Sequence, residues 1–391
     1  MSQLGQRVGA IRPSLMFQFL ERAKVIERSG RRVFHLEKGE PELGTPQNVL
    51  EAAERALKEG YTTLTPSRGL IELREAVAES LKGRFGILTD PQREVIAVPG
   101  AKFGIFAALA TILEPGDQVL CPSPFFPPYR EMVDFLGGEF VPVPMTMEEG
   151  WARLDLGVLK GKLSKRTRAI ILNYPHNPTG WIPQEWELEA VVELAREEDL
   201  FIISDEVYDR IIFDGLNHRP ILSFSSMRDR MVMVNSFSKS YAMTGFRLGY
   251  GVAIPELVDG MARVQENTTT CPSAVAQKAG EVALRGPQDF PLMLAQVYQA
   301  RRGRVMEVLK GLPKVRPLRP SGALFVFIDI RELGLSSVAL ARRLLEEEGV
   351  AITPGAAFGE GWDGFIRISL TEADEGMDEA LKRISDFLRG L

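Results

Sequence analysis

Cysteine and histidine are scarce in this chain: Cys121 and Cys271 are the only thiols, and His35, His176 and His218 the only imidazoles, among 391 residues. Two cysteines exclude a disulfide framework, and three histidines so spaced match no zinc-site pattern, so no metal centre is expected. Basic residues are not in excess either: 47 Lys and Arg against 52 Asp and Glu give a net charge of −5, with no basic block. That balance has little to offer a phosphate backbone, and nucleic acid is not an expected partner. Long apolar runs are also missing. Nothing approaches the ~18 residues needed to span a bilayer, and the opening MSQLGQRVGAIRPSLMFQFLERAK lacks the apolar core and cleavage site of a signal peptide. A soluble, cytoplasmic protein is expected, and a composition of 45% hydrophobic and 25% charged residues suits ordinary packed domains.

What is present is an alternation of short β-branched runs with amphipathic helical patterns, the form of an α/β domain with a mostly parallel sheet. Expected strands are Val95 to Val98, Gln118 to Cys121, Ala169 to Leu172, Phe201 to Ser204 and Met231 to Val234; expected helices include Leu70 to Leu81 and Gln184 to Glu198. Near residue 284 the texture changes. A long arginine-bearing helix, the extended Leu324 to Asp329, a helix over Val338 to Glu348 and a last amphipathic helix follow. These predict a large αβα domain over 45–283 and a smaller α+β domain built from 1–44 and 284–391, because the chain ends flank the repeat and often lie close together.

Ligands of an open parallel sheet collect at the carboxyl ends of its strands. Gly100-Ala101-Lys102 follows one strand, where a glycine lets the backbone approach an anion and the helix start offers free N–H groups; alone, this is also just a tight turn. The stretch NSFSKSYAMTGFRLGY follows another. Ser236, Ser238 and Arg247 offer hydroxyl and guanidinium donors suited to a phosphate dianion, and Lys239 beside fixed positive charge has the setting of a nucleophilic amine. A lone lysine is ordinarily a solvated surface residue; its neighbours change that reading. Asp205 ends the apolar run Phe201-Ile202-Ile203-Ser204, where a carboxylate needs a cation, a helix cap or an ion pair. Tyr208 and Asn177 lie on the same and the neighbouring loop.

In this order and at these separations, NYPHNPTG, SDEVYDRIIFDG, SFSKSYAMTGFRLGY and FIRIS resemble the class I aminotransferases of fold type I, which use pyridoxal 5′-phosphate. LEKGEPELGTP and TPSRGLIELREAV extend the resemblance towards the N-terminus, over nearly the full chain. The resemblance implies a Schiff-base role for Lys239, Asp205 on the pyridine nitrogen, and Tyr208 and Asn177 on the ring oxygen. It implies Phe126 stacked on the ring, a phosphate cup of Gly100, Ala101, Lys102, Ser236, Ser238 and Arg247, and Arg367 on the substrate α-carboxylate with Asn177 and the backbone of Gly39 nearby. Such an enzyme moves the amino group of an L-amino acid to a 2-oxo acid such as 2-oxoglutarate, by ping-pong kinetics, as a homodimer.

The same scaffold also supports a β-lyase, a synthase or a decarboxylase, because the catalytic residues do not decide which bond breaks. An aminotransferase-like sensing domain of a transcription regulator would need a DNA-binding module, for which there is no spare basic segment before residue 36. One departure stands out. Leu64 occupies the position where many members have a tyrosine that reaches the neighbouring subunit's phosphate, so either Tyr61 replaces it or the cup is one donor weaker, by ~1 kcal/mol. Thr268 and Thr269 lie in a segment that meets the partner subunit in the family. Leu15, Met16, Phe17, Phe19 and Leu64 form either an apolar wall of the side-chain pocket or ordinary packing, and Arg68 and Lys102 are candidates for a distal carboxylate.

Overall fold

The structure, a computed structural model, describes residues 5–391. Residues 1–4 of the smaller expected domain lie outside the described residues.

Seven strands form the central sheet, in the spatial order Val95–Val98, Gly249–Val252, Met231–Ser236, Phe201–Asp205, Thr167–Asn173, Gln118–Ser123 and Glu139–Pro144. All run parallel except Gly249–Val252, which is antiparallel to both of its neighbours. The five strands expected from the sequence are all present. Glu139–Pro144 escapes detection because Pro142 and Pro144 interrupt it, and proline is tolerated there only because the strand lies at an edge. Gly249–Val252 escapes it because two of its four residues are glycine. Close packing requires both: a Cβ on Gly249 would stand 2.6 Å from the Asn235 carbonyl oxygen, and one on Gly251 2.9 Å from Met261 Cε.

Alternating strand residues feed two cores. Ile96 and Val98 pack with Ile105 and Val258 on one face of the sheet, while Val95 and Ala97 pack with Leu73, Val77 and Val191 on the other. Each such valine, leucine or isoleucine contributes roughly 1.5–3 kcal/mol when fully buried. Helices Ala101–Ile112 and Pro255–Glu266 thus cover one face, and Ile71–Phe85, Glu185–Glu197 and Ala274–Arg285 the other, giving three αβα layers.

A second, antiparallel sheet has the order Arg316–Pro317, Phe325–Asp329, Phe365–Ser369, Thr353–Pro354. The N-terminal segment is tied to it: Phe34–His35 pairs in parallel with Val350–Ala351, and the Ser369 N–H donates to the Leu36 carbonyl at 2.7 Å. The helix expected over 338–348 is Ser337–Arg343 followed by a wider π-helical turn, Leu344–Glu348, which stops at left-handed Gly349. Among the described residues no helix is long and apolar enough to cross a membrane, and no group of His, Cys, Asp or Glu is arranged to hold a metal ion.

Candidate active site

A cavity of about 240 Å³ opens at the carboxyl ends of the parallel strands, bordered by Gly39 and Glu40 of the N-terminal segment and by Phe325 and Arg367 of the antiparallel sheet. Ala101, Lys102, Phe126, Asn177, Asp205, Tyr208, Ser236, Ser238, Lys239 and Arg247 all line it. Residues up to 330 positions apart are brought into one hydrogen-bonded set, since Arg367 Nη2 donates to the Glu37 carbonyl at 2.6 Å.

The antiparallel strand Gly249–Val252 explains how the residues expected to bind an anion meet. It lies between Val95–Val98 and Met231–Ser236, so the turn at Gly100 and the loop from Ser236 to Arg247 converge at one end of the sheet. Gly100 does not itself line the cavity. Its φ of +84° is open to glycine, and an added Cβ would fall 2.6 Å from Arg247 Nη2, so its bare backbone makes room for the guanidinium. Ser236 caps the short helix Phe237–Ser240 by accepting from the Ser238 N–H at 3.1 Å, and the two serine hydroxyls are 2.9 Å apart. Arg247, at φ 50°, donates to the Thr244 carbonyl at 3.0 Å.

Lys239 Nζ donates to the Gly39 carbonyl at 2.6 Å. Withdrawal from water lowers its amine to about 8; Glu40 pulls the other way, and the guanidinium groups of Arg247 and Arg367 lower it further. Asp205 is 5% exposed, and burial pushes its carboxyl up to about 6. Two donors restrain that rise: the Tyr129 hydroxyl at 2.6 Å and the Val207 N–H at 3.3 Å. Asn173 Nδ2 donates to the Asp205 backbone carbonyl at 3.0 Å, and Asn173 Oδ1 accepts the Asn177 N–H at 2.8 Å, linking the two loops.

Arg367 is fully buried. Nη1 donates to Asn177 Oδ1 at 3.0 Å, Nη2 also reaches Thr353 Oγ1 at 3.1 Å, and the guanidinium carbon stands 4.0 Å over the Phe325 ring. Burial lowers it to about 10, which leaves it charged at neutral pH, and its Nε is buried without an acceptor. A buried donor of that kind calls for a partner. Tyr208 packs edge-on against the same Phe325 ring, 5.9 Å between centroids.

The residues read as either an apolar wall or ordinary packing mostly do not line the cavity. Of Leu15, Met16, Phe17, Phe19 and Leu64, only Met16 lines the cavity; Phe19 is core, Leu15 packs against it, and Phe17 and Leu64 are 60% and 77% exposed. The apolar lining comes instead from Ile105, Met132, Val207 and Phe325. Arg68 is likewise spent elsewhere, paired with Asp259 and donating to the Gln92 carbonyl at 3.1 Å, whereas Lys102 stays at the cavity, 5.6 Å from the centre of the Phe126 ring. Tyr61 lies under the Lys278 ammonium, 5.5 Å away, and Thr268 and Thr269 are exposed beyond the helix Pro255–Glu266.

Tyr129, Asn173 and Glu40 are among the cavity residues to which no candidate role was given from the sequence. Tyr129 carries a usable signal, since Pro127-Pro128 starts the helix Pro128–Phe135 and puts Tyr129 one turn beyond Phe126, with the rings edge-on at 5.5 Å.

Comparison with known proteins agrees with this geometry. The family model described as aminotransferase class I and II matches residues 31–384. An aromatic-amino-acid aminotransferase 2 of Thermococcus litoralis and an aspartate aminotransferase of Pyrococcus abyssi are each 37% identical, over 99% of this chain and 98% of theirs. The structure of the aspartate aminotransferase from Thermus thermophilus with maleate superimposes with a TM-score of 0.93 at 36% identity, covering 99% of this chain and 100% of that one. With sequence motifs, αβα sheet and cavity in agreement, the chain belongs to the class I and II aminotransferase family and has its fold type I architecture.

Proposed function

We propose that the chain is a pyridoxal 5′-phosphate-dependent aminotransferase of amino acid metabolism, a cytoplasmic homodimer that moves the amino group of an L-amino acid to 2-oxoglutarate by a ping-pong mechanism. The observation that carries this reading is one cavity holding a lysine amine lowered to about 8, a buried carboxylate and a buried arginine with a donor to spare. The donor set fits the cofactor. The start of helix Ala101–Ile112, the Ser236 and Ser238 hydroxyls and the guanidinium admitted by Gly100 suit a phosphate, and Asp205 suits a protonated pyridine nitrogen.

When bound, the cofactor supplies an aldehyde for amino groups and a protonated ring that accepts the electron pair released at the α-carbon. Arg367 binds the substrate α-carboxylate and, with Asn177 and Gly39, orients the amino acid. Asp205, held by Tyr129 and Val207, would keep the ring nitrogen protonated; Tyr208 and Asn177 would hold the ring oxygen, and Phe126 would lie against the ring. Lys239, released from the Gly39 carbonyl, would take the α-proton on Nζ and give it up again from the same atom. Lys102, without an ion-pair partner among the described residues, meets the distal carboxylate of an acidic substrate.

The reading divides the chain into a cofactor-binding domain, 45–283, and a smaller domain of 1–44 and 284–391, whose Gly39, Phe325 and Arg367 border the cavity. The exposed apolar side chains of Leu50, Leu57 and Leu64 support the dimer, and the two free cysteines suit a reducing compartment. Leucine at 64 brings no hydroxyl to a partner's site.

Incubation with an amino acid alone tests the reaction type. One equivalent of 2-oxo acid, with its nitrogen kept on the cofactor, supports transamination; continuous release of ammonia and pyruvate contradicts it in favour of a lyase. Arg367→Ala is expected to raise KM by roughly 10²-fold for amino acids of every side chain alike, the scale of a lost charge-assisted pair. A side-chain-selective loss would show that Arg367 reads the other end of the substrate.

Capture of the cofactor by the cofactor-free protein should follow the neutral form of Lys239. With the amine at about 8, roughly one molecule in ten is neutral at pH 7, against ~1 in 3,000 for an ordinary lysine. The capture rate therefore rises with pH and levels off above about 8. A rise continuing past pH 10 in stopped-flow absorbance would mean that Lys239 is not depressed.

A further inference from the structure

The cavity wall holds one charged side chain with no part in the chemistry above, Glu40. Its position is fixed by the backbone before it: the carbonyls of Glu37, Lys38 and Gly39 accept from Arg367 at 2.6 Å, Thr371 Oγ1 at 3.3 Å and Lys239 at 2.6 Å. Pro41, with its restricted φ, follows. Glu40 is exposed at the cavity mouth, as is Lys102, and neither takes part in an ion pair among the described residues. With Arg247 assigned to a phosphate, Arg367 to the α-carboxylate and Asp205 to a ring nitrogen, Lys102 and Glu40 are the charges left at the cavity mouth when the substrate side chain is neutral. Glu40 is also the charge that acts most strongly on the Lys239 amine, so its field reaches the reacting centre.

An acidic side chain brings its own anion to Lys102. A neutral one brings none and leaves the cation unmatched in a partly desolvated space. We propose that Glu40 is a specificity-determining residue that supplies the missing negative charge when the substrate side chain is neutral and repels a second carboxylate when it is acidic. The inference rests on the cavity being the aminotransferase site and deepens that reading. It bears on a point the comparisons leave open, since relatives named for aspartate and for aromatic amino acids are equally similar to this chain.

Holoenzymes of the wild type, Glu40→Gln, Glu40→Lys and Glu40→Asp are to be compared in single-turnover half-reactions with L-aspartate and L-phenylalanine. Binding of maleate and 3-phenylpropionate, which have no amino group to transfer, is measured alongside by calorimetry. The expected result is an aspartate-to-phenylalanine ratio of kcat/KM at least about fivefold higher in Glu40→Gln, higher again in Glu40→Lys and restored in Glu40→Asp, with the binding ratio moving the same way. A structural defect would lower both substrates together and leave the ratio in place. An active wild type whose ratio is unmoved by Gln and Lys overturns the role of Glu40 alone. A wild type that converts neither amino acid overturns the aminotransferase reading and this inference with it.

Discussion

Lys239→Ala is expected to abolish turnover, a fall of more than ~10⁴-fold in kcat, because in the proposed mechanism one side chain supplies both the amine that meets the aldehyde and the base that moves the α-proton. The fold should survive. Lys239 is bound to the protein through a single hydrogen bond, to the Gly39 carbonyl, and its amine is already disfavoured in the charged form by its surroundings. Truncation therefore removes a strained charge and leaves no buried group unpaired except that carbonyl. Unchanged far-ultraviolet circular dichroism with no measurable transamination is the expected pair of results. Substantial remaining activity would remove Lys239 from the centre of the mechanism.

Asp205→Asn has the next largest expected effect, a loss of at least ~10³-fold in kcat, since an amide cannot hold a proton on the ring nitrogen by charge. Its effect on stability runs the other way. In the cofactor-free protein the carboxyl is raised from 3.8 to about 6, so the folded state binds more protons than the unfolded chain across that window. Stability is then lost as pH rises from about 4 to about 6 and stays lost above, by ~3 kcal/mol at most. The amide has no such penalty and can still accept from Tyr129. At pH 7 the cofactor-free Asp205→Asn variant should thus melt no lower than the wild type, and the wild type should gain stability on acidification towards pH 4 relative to the variant. A variant that is both inactive and markedly less stable would indicate a structural carboxylate instead.

The sheet was largely legible because five of its strands are short apolar runs, and the loops that line the cavity follow them directly. Two strands were hidden by residues chosen for other reasons. Proline in Glu139–Pro144 reflects an edge position, and glycine in Gly249–Val252 reflects contacts too close for a side chain. Lys239, Asp205, Tyr208, Asn177 and Arg367 were all readable from motif and position, and all face one cavity. Residues acting through another residue were less readable. Tyr129 reaches Asp205 across 76 positions, a contact to which only its place one turn beyond Phe126 points, and Asn173 ties two loops together, which local spacing does not encode. The side-chain pocket stayed undecided between wall and packing for the same reason: Phe17 and Phe19 follow one another closely in a helix, yet one is exposed and the other is core.

The most direct test of the central claim is the visible absorption spectrum of the purified protein, before and after addition of single L-amino acids without a 2-oxo acid. A yellow protein is expected, whose band is bleached by a subset of amino acids, with the responders naming the substrate class. A protein that takes up no chromophore when supplied with pyridoxal 5′-phosphate would contradict the roles given to Lys239 and Asp205 together.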